Sequence, residues 1–476
     1  MDDLRRAFDP EVFRSTGHVF VDQLADYLAA ALRGTTPVLP AISPGEIVRV
    51  WGSEFPEQAT GGLQSLLQRV IESSNHLHHP RYIGHQVTAP LPMAALCDLA
   101  AALLNNGMAV FDMGPAATAM ERSVVGWMAR QLGFGPAADG VLTSGGSVGN
   151  LTALLAARQA KAGFDVWSEG AHAGPPLAVL ASDQTHYCVQ RAVQIMGWGA
   201  GGVVVVPSDA GYRMRTNALG DAFRRAQHAG RSVIGVVASA GSTATGAFDP
   251  LESIADFCRD NDLWLHVDGA HGASLVLSER HRGLLRGIER ADSVVWDAHK
   301  MLLMPALVTG VLFRDGARSY QAFAQEATYL FAGEEPQERW FDIGARTLEC
   351  TKKMLSFKIY AALQVYGTRL FGDYLARTID LAQRFAARLR EAPDFEIAVE
   401  PQCNILCFRH VPPGVADLDA LQLQVRQRLL ETEGFYLVQT RLRGKQFLRT
   451  TLINPFTSDA DLEALMHEIR RLAASA

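Results

Sequence analysis

The chain has 476 residues, beyond the size at which one core keeps growing, so two or three domains are expected. Apolar residues make up 48% and charged residues 20%, with a formal net charge of −6; that mildly acidic balance, without a basic stripe, argues against a nucleic-acid or anionic-membrane partner. Met1-Asp-Asp-Leu-Arg-Arg has no apolar signal core behind it, no uncharged apolar run approaches a bilayer span, and six scattered cysteines (97, 188, 258, 350, 403 and 407) suggest no disulfide framework, so a reduced, cytoplasmic protein is expected.

Residues 1–90 read as helices joined by Pro-rich connectors. Phe13, Val19, Leu24, Tyr27 and Leu28 recur at roughly helical spacing, and Thr36-Pro-Val-Leu-Pro-Ala-Ile-Ser-Pro44 is a linker by its prolines. The stretch is too thin for its own core and is expected to pack on the next domain or on a partner chain. His76, His78 and His79 precede Pro80 in a turn; no second ligand cluster accompanies them, so no metal site is expected.

From about 91 to 365 the pattern alternates. Gly140-Val-Leu-Thr-Ser-Gly-Gly-Ser147-Val-Gly-Asn150 runs from a short apolar strand through a Gly/Ser turn into the helical Leu151-Thr-Ala-Leu-Leu-Ala-Ala-Arg158. Such a turn offers backbone N–H groups and a positive dipole end to an anion. Its spacing is neither Gly-x-Gly-x-x-Gly nor Gly-x4-Gly-Lys-Ser/Thr, which disfavours a dinucleotide or a nucleoside triphosphate and suits a single phosphate. Leu177-Ala-Val-Leu-Ala181, Gly202-Val-Val-Val-Val, Val233-Ile-Gly-Val-Val-Ala, Leu263-Trp-Leu-His-Val and Ser293-Val-Val-Trp are short apolar runs, with helix-like segments such as 219–229 and 251–260 between several of them. That alternation predicts a parallel sheet covered on both faces, with ligands at the carboxyl ends of the strands. From 366 to 476, two helical stretches flank strands near 403–408 and 446–452, a small α+β domain. Cys403 and Cys407 read as small apolar strand residues there, and His410 beside them does not make a metal site.

Two of the apolar runs end in charged groups. One closes on Asp268, in Leu263-Trp-Leu-His-Val-Asp268-Gly-Ala-His271; the other leads to Asp-Ala-His299-Lys300. Either ending alone is common, the Asp as a turn or helix cap. Together, in this order and with a single-phosphate loop upstream, they are what a pyridoxal-phosphate enzyme needs. The amine forms a Schiff base with the aldehyde, and the carboxylate keeps the pyridine nitrogen protonated so that the ring can accept electrons.

On these motifs, in this order from His79-Pro-Arg-Tyr to Arg449, the chain resembles the group II pyridoxal-phosphate-dependent amino-acid decarboxylases, which include glutamate, cysteine-sulfinate, aromatic amino-acid and diaminobutyrate decarboxylases. The resemblance implies an α/β, aspartate-aminotransferase-like (type I) fold with a mainly parallel seven-stranded sheet. It divides the chain into an N-terminal helical segment at 1–90, a large cofactor-binding domain at 91–365 and a small α+β domain at 366–476. It implies a homodimer with its sites at the interface and a small-molecule amino-acid substrate. Lys300 is then the Schiff-base lysine, preceded by His299, and Asp268 the pyridinium partner. Ala270 packs on the ring, and His186, in Thr185-His-Tyr-Cys188, stacks on it. Gly146 and Ser147 take the phosphate, and Thr243 contacts the cofactor. Thr88, His85, Gln86 and Ala109 lie toward the substrate. Tyr329, in Ala327-Thr-Tyr-Leu-Phe331, protonates the intermediate, and Arg449 binds a substrate carboxylate.

The chain also departs from its relatives. Asp297 stands where many have Asn or Ser beside the cofactor phosphate, and a carboxylate there would repel a phosphate dianion, so direct contact is not expected. Gly107 and Ala109 replace bulkier apolar side chains of aromatic-substrate relatives, and His85 and Gln86 replace an aromatic pair. The expected reaction is α-decarboxylation of an acidic or short polar L-amino acid. The rivals are an aromatic decarboxylase, an aldehyde-forming oxidative variant, a non-catalytic relative of the fold and a nicotinamide oxidoreductase.

Overall fold

A computed structural model describes residues 2–52, 54–59, 61–323 and 341–475. They fall into two compact units, one of residues 86–383 and 399–406, the other of residues 1–85, 384–398 and 407–476.

The first unit is built on seven strands: β1 (Asp139–Thr143), β2 (Leu177–Ser182), β3 (Val203–Val206), β4 (Ser232–Ser239), β5 (Trp264–Asp268), β6 (Ser293–Asp297) and β7 (Thr309–Phe313). Their order in the sheet is β1-β7-β6-β5-β4-β2-β3. β3, β2, β4, β5 and β6 pair in parallel, whereas β7 runs antiparallel to both of its neighbours. β2, β5, β6 and β7 are buried along their whole length, so their apolar runs carry no polar alternation; helices cover both faces. Gly235 keeps β4 close to β5: a Cβ there would stand 2.6 Å from the Trp264 carbonyl oxygen. The α/β architecture with a mainly parallel seven-stranded sheet is therefore present as expected.

A polar line crosses this apolar core. Trp264 Nε1 donates to Ser293 Oγ at 2.8 Å, Ser293 Oγ and His266 Nδ1 are 2.8 Å apart, and His266 Nε2 lies 2.8 Å from Asn150 Oδ1. Asn150 Nδ2 then donates to the Gly146 carbonyl at 2.8 Å. Because Asn150 presents an acceptor, His266 Nε2 must carry the hydrogen, and Nδ1 accepts from the Ser293 hydroxyl. The neutral ring satisfies every member of the line.

Burial holds His266 in that neutral form, pushing its pKa down to about 4 despite the opposing pull of Asp268. The unfolded chain binds this proton near pH 6.5 and the folded chain does not. The neutral ring's contribution is therefore fully present above about pH 6.5 and is lost as pH falls toward 4, by roughly 2 kcal/mol at about pH 5. Urea unfolding at about pH 7.5 and pH 5 should show a smaller acid loss in His266→Phe than in the parent, even though the variant is less stable at neutral pH. Equal losses in the two proteins would remove His266 from the acid transition.

The second unit carries helices on a four-stranded sheet of β8 (Phe395–Ile397), β9 (Ile405–His410), β10 (Val438–Leu442) and β11 (Lys445–Thr451), ordered β10-β11-β9-β8. The N-terminal periodicity forms the helix Pro10–Leu32, started by Asp9, whose side chain accepts from the Glu11 N–H. Phe13, Val19 and Leu24 on that helix are exposed. In the first unit the helix Pro92–Leu104 exposes Leu96, Leu99, Leu103 and Leu104. No helix among the described residues is long and apolar enough to cross a membrane.

Candidate active site

The strands of the first unit deliver their chemistry to one edge of the sheet. A cavity of about 260 Å³ opens there, lined by the turns that follow β1, β4, β5 and β6 and by His186 and Cys188 beyond β2. This is the carboxyl-end crevice in which open parallel sheets hold ligands.

The turn after β1 reaches the helix Gly146–Lys161 through Gly145, at φ 127°, a conformation that only glycine adopts without strain. Gly145, Gly146, Ser147, Val148 and Asn150 all line the cavity, and the first backbone N–H groups of a helix have no partner within it. Three polar ties hold β1 and this turn from the segment after residue 340. Arg346 donates to Asp139 Oδ2 at 2.6 Å and to the Gly140 carbonyl at 2.9 Å. Lys352 pairs with Glu121 Oε1 at 2.5 Å and also donates to the Leu142 carbonyl, while Glu121 accepts from the Leu142 N–H at 2.9 Å. Ser144 Oγ donates to Glu349 Oε1 at 2.7 Å.

β6 ends on Asp297, and the next turn carries His299 and Lys300. Lys300 Nζ lies 3.0 Å from Asp297 Oδ2, and Thr309 on β7 donates to Asp297 Oδ1 at 2.5 Å. Burial alone would lower the Lys300 pKa, but Asp297 and then Asp268 outweigh it and raise it. The amine thus rests as an ammonium ion. His299 Nδ1 lies 2.9 Å from the Val308 carbonyl, and its Nε2 is 3.6 Å from Asp297.

Asp268 closes β5, buried to 9% exposure, with Oδ1 accepting from the Ala270 N–H at 3.2 Å. His186 caps the helix Tyr187–Ile195, its Nδ1 accepting from the Cys188 N–H at 3.3 Å. The hydrogen therefore sits on Nε2, and burial lowers the ring's pKa, with Asp268 pulling the other way. Burial pushes the Cys188 thiol well up, so Cys188 is no thiolate nucleophile.

Gly146, Ser147, His186, Thr243, Asp268, Ala270, His299, Lys300 and Gln86 all line the cavity. Thr88 and Ala109 are buried but are not among its lining residues; the Thr88 hydroxyl donates to the Ala89 carbonyl at 3.3 Å. His85 and Arg449 belong to the second unit, where Arg449 reaches the Gly84 carbonyl at 3.5 Å. Burial lowers the His85 pKa there, with Arg449 and Arg426 adding to the effect. Tyr329 lies outside the described residues. Asn150, Ser239, Ser242 and His271 line the cavity without having been singled out as site residues. His271, three residues beyond Asp268, and Asn150, one helical turn past Gly146, were within reach of sequence reasoning. Leu307 carried no such signal. No group of three or more His, Cys, Asp or Glu among the described residues could hold a metal ion.

These residues fit pyridoxal phosphate. Among the described residues the wall offers one lysine amine, a carboxylate at another strand end, a flat neutral imidazole and the N-terminus of a helix.

Comparison with known proteins agrees. Residues 49–411 match the model of the pyridoxal-dependent decarboxylase conserved domain. The chain is 30% identical over 470 residues to the aromatic-L-amino-acid decarboxylase of Bacillus atrophaeus, covering 97% of this chain and 96% of that protein. It is 30% identical over 420 residues to the acidic amino acid decarboxylase GADL1 of Homo sapiens, covering 86% and 80%. The crystal structure of mouse CSAD in apo form superposes with a TM-score of 0.89 at 26% identity, over 98% of this chain and 99% of that one. The chain belongs to the pyridoxal-dependent decarboxylase family and is an amino-acid carboxy-lyase with pyridoxal phosphate as its cofactor.

Proposed function

We propose that the enzyme removes the α-carboxyl group of an acidic or short polar L-amino acid, such as glutamate, aspartate, cysteine sulfinate or 2,4-diaminobutyrate, and releases CO2 and a primary amine. The supporting observation is the wall of the cavity. On the side assigned to the substrate it presents the carboxamide of Gln86, and no Phe, Tyr or Trp is among the described residues that line it.

Bound pyridoxal phosphate supplies an electron sink for the pair left when the carboxyl group departs. Lys300 would hold the cofactor through its amine, once that amine had passed on the proton it carries beside Asp297. Asp268 keeps a proton on the ring nitrogen. His186 would offer its flat face to the ring and its Nε2–H edge to the substrate carboxylate. Gly146 and Ser147 would hold the phosphate with backbone N–H groups, and Thr243, Ala270 and His299 would position the ring. The resemblance to the family assigns Arg449 to a substrate carboxylate and Thr88, His85, Gln86 and Ala109 to the substrate side. Tyr329 gives the α-carbon its proton; a phenol, with a reference pKa of about 10, still holds that proton at neutral pH. With Tyr329 and His186 both present, simple decarboxylation is favoured over the aldehyde-forming reaction.

The exposed apolar side chains of the helices Pro10–Leu32 and Pro92–Leu104 support a homodimer, and the six free cysteines support a reducing, cytoplasmic setting. A second reading, decarboxylation of an aromatic amino acid, draws on the Bacillus relative, which matches nearly the whole chain. Measuring CO2 release from the protein amino acids plus ornithine, diaminobutyrate, cysteine sulfinate and dihydroxyphenylalanine separates the two. The highest kcat/KM is expected on an acidic or short polar substrate. A preference for tryptophan, tyrosine or dihydroxyphenylalanine would replace the first reading with the second.

A further inference from the structure

The carboxylate of Asp297 stands where the site is meant to receive an anion. Its side chain is 2% exposed. A Cβ built on Gly146, the first residue of the helix Gly146–Lys161, would lie 3.2 Å from each of its two oxygens. The negative group thus stands beside the first residue of that helix, its oxygens engaged by Lys300 and Thr309, and the helix dipole favours it there.

Its surroundings set what a second anion would meet. From its own turn come the Lys300 ammonium at 3.0 Å and His299 at 3.6 Å. β7 adds only the Thr309 hydroxyl, and the anion-loop helix only its backbone. β5 contributes Asp268, and the helix beyond β2 contributes His186 and the protonated Cys188, all within electrostatic reach. Two carboxylates therefore face one full cation. A phosphate dianion arriving at this helix end adds negative charge to a site already occupied by one.

We propose that Asp297, against the expectation that its charge keeps it off the phosphate, lies next to the place of the cofactor phosphate at the helix end, so that the phosphate would be held with uptake of one solvent proton, shared between a phosphate oxygen and an Asp297 oxygen. No bond other than O–H forms. Cofactor retention is then weaker at high pH, and Asp297 is a positioning residue that sets this dependence. The inference rests on the reading that Lys300 and the anion loop hold the cofactor.

The test uses pyridoxine 5′-phosphate, which keeps the phosphate but has no aldehyde to react with Lys300, and pyridoxine, which lacks the phosphate. Each is titrated calorimetrically into cofactor-free protein in buffers of different ionisation heat. Above about pH 6, the second pKa of a phosphate monoester, parent affinity for the phosphate compound should fall by up to about tenfold per pH unit, with about one proton taken up. Asp297→Asn should bind it about tenfold more tightly at about pH 8, with a much shallower slope, and should leave pyridoxine binding unchanged. Thr309→Val, which removes the donor that stabilises the carboxylate, should shift the parent's pH dependence upward. Unchanged affinity and slope in Asp297→Asn, or an equal shift for pyridoxine, would overturn the role of Asp297 alone. If Lys300→Ala kept the near-visible absorption of reacted pyridoxal phosphate, the reading of the site itself would fall, and this inference with it.

Discussion

Lys300→Ala is expected to lose the near-visible absorption of bound cofactor and to lower kcat by several orders of magnitude. The cavity wall presents one lysine among its described residues, on the turn after β6. Its ammonium is held by Asp297 at 3.0 Å, so the amine has a fixed place from which to engage an aldehyde. Alanine leaves the phosphate seat and Asp268 in place, so weak, non-covalent cofactor binding should persist. Absorption and CO2 release both at parental levels would show that another amine does this work.

Lys352→Met is expected to destabilise the protein by about 3–5 kcal/mol, because it strands the Glu121 carboxylate in the core. The two side chains are only 4% and 1% exposed and meet at 2.5 Å. Both also bond the backbone of Leu142, Lys352 to its carbonyl and Glu121 to its N–H. That residue lies just before the turn that leads to the anion loop, so the variant should also hold pyridoxal phosphate less tightly. The double variant Glu121→Leu/Lys352→Met should recover a large part of the loss, since an apolar pair leaves no buried charge. Urea unfolding of the two proteins, with cofactor titration of each, checks both expectations. A loss below about 1 kcal/mol in the single variant would mean that water reaches Glu121.

The elements that carry the site were legible in the sequence because each is local. The run Leu263-Trp-Leu-His-Val-Asp268 shows a buried strand and its charged end in six residues, and Ser144-Gly-Gly-Ser147 shows a turn that only glycine can make. Helical spacing from Phe13 to Leu28 likewise pointed to a helix, which runs Pro10–Leu32. What escaped was long-range. Lys352 and Glu121, or Arg346 and Asp139, are separated by about two hundred residues, and no periodicity marks such a pair. His266 read as one polar residue in an apolar strand; its role depends on Asn150 and Ser293, which the fold brings to it. The antiparallel course of β7 was hidden for the same reason, since a short apolar run looks alike in either direction.

The line from Trp264 to Gly146 has a consequence for how the cofactor-free enzyme behaves. Its two ends are unequal: the indole can only donate and the carbonyl can only accept, so the intervening hydroxyl, imidazole and carboxamide have one self-consistent orientation. The first turn of the anion-loop helix is thereby anchored to the middle of the sheet by side chains that need no ligand. A loop proposed to receive the phosphate is thus preorganised, and little of the association free energy would be consumed in ordering it.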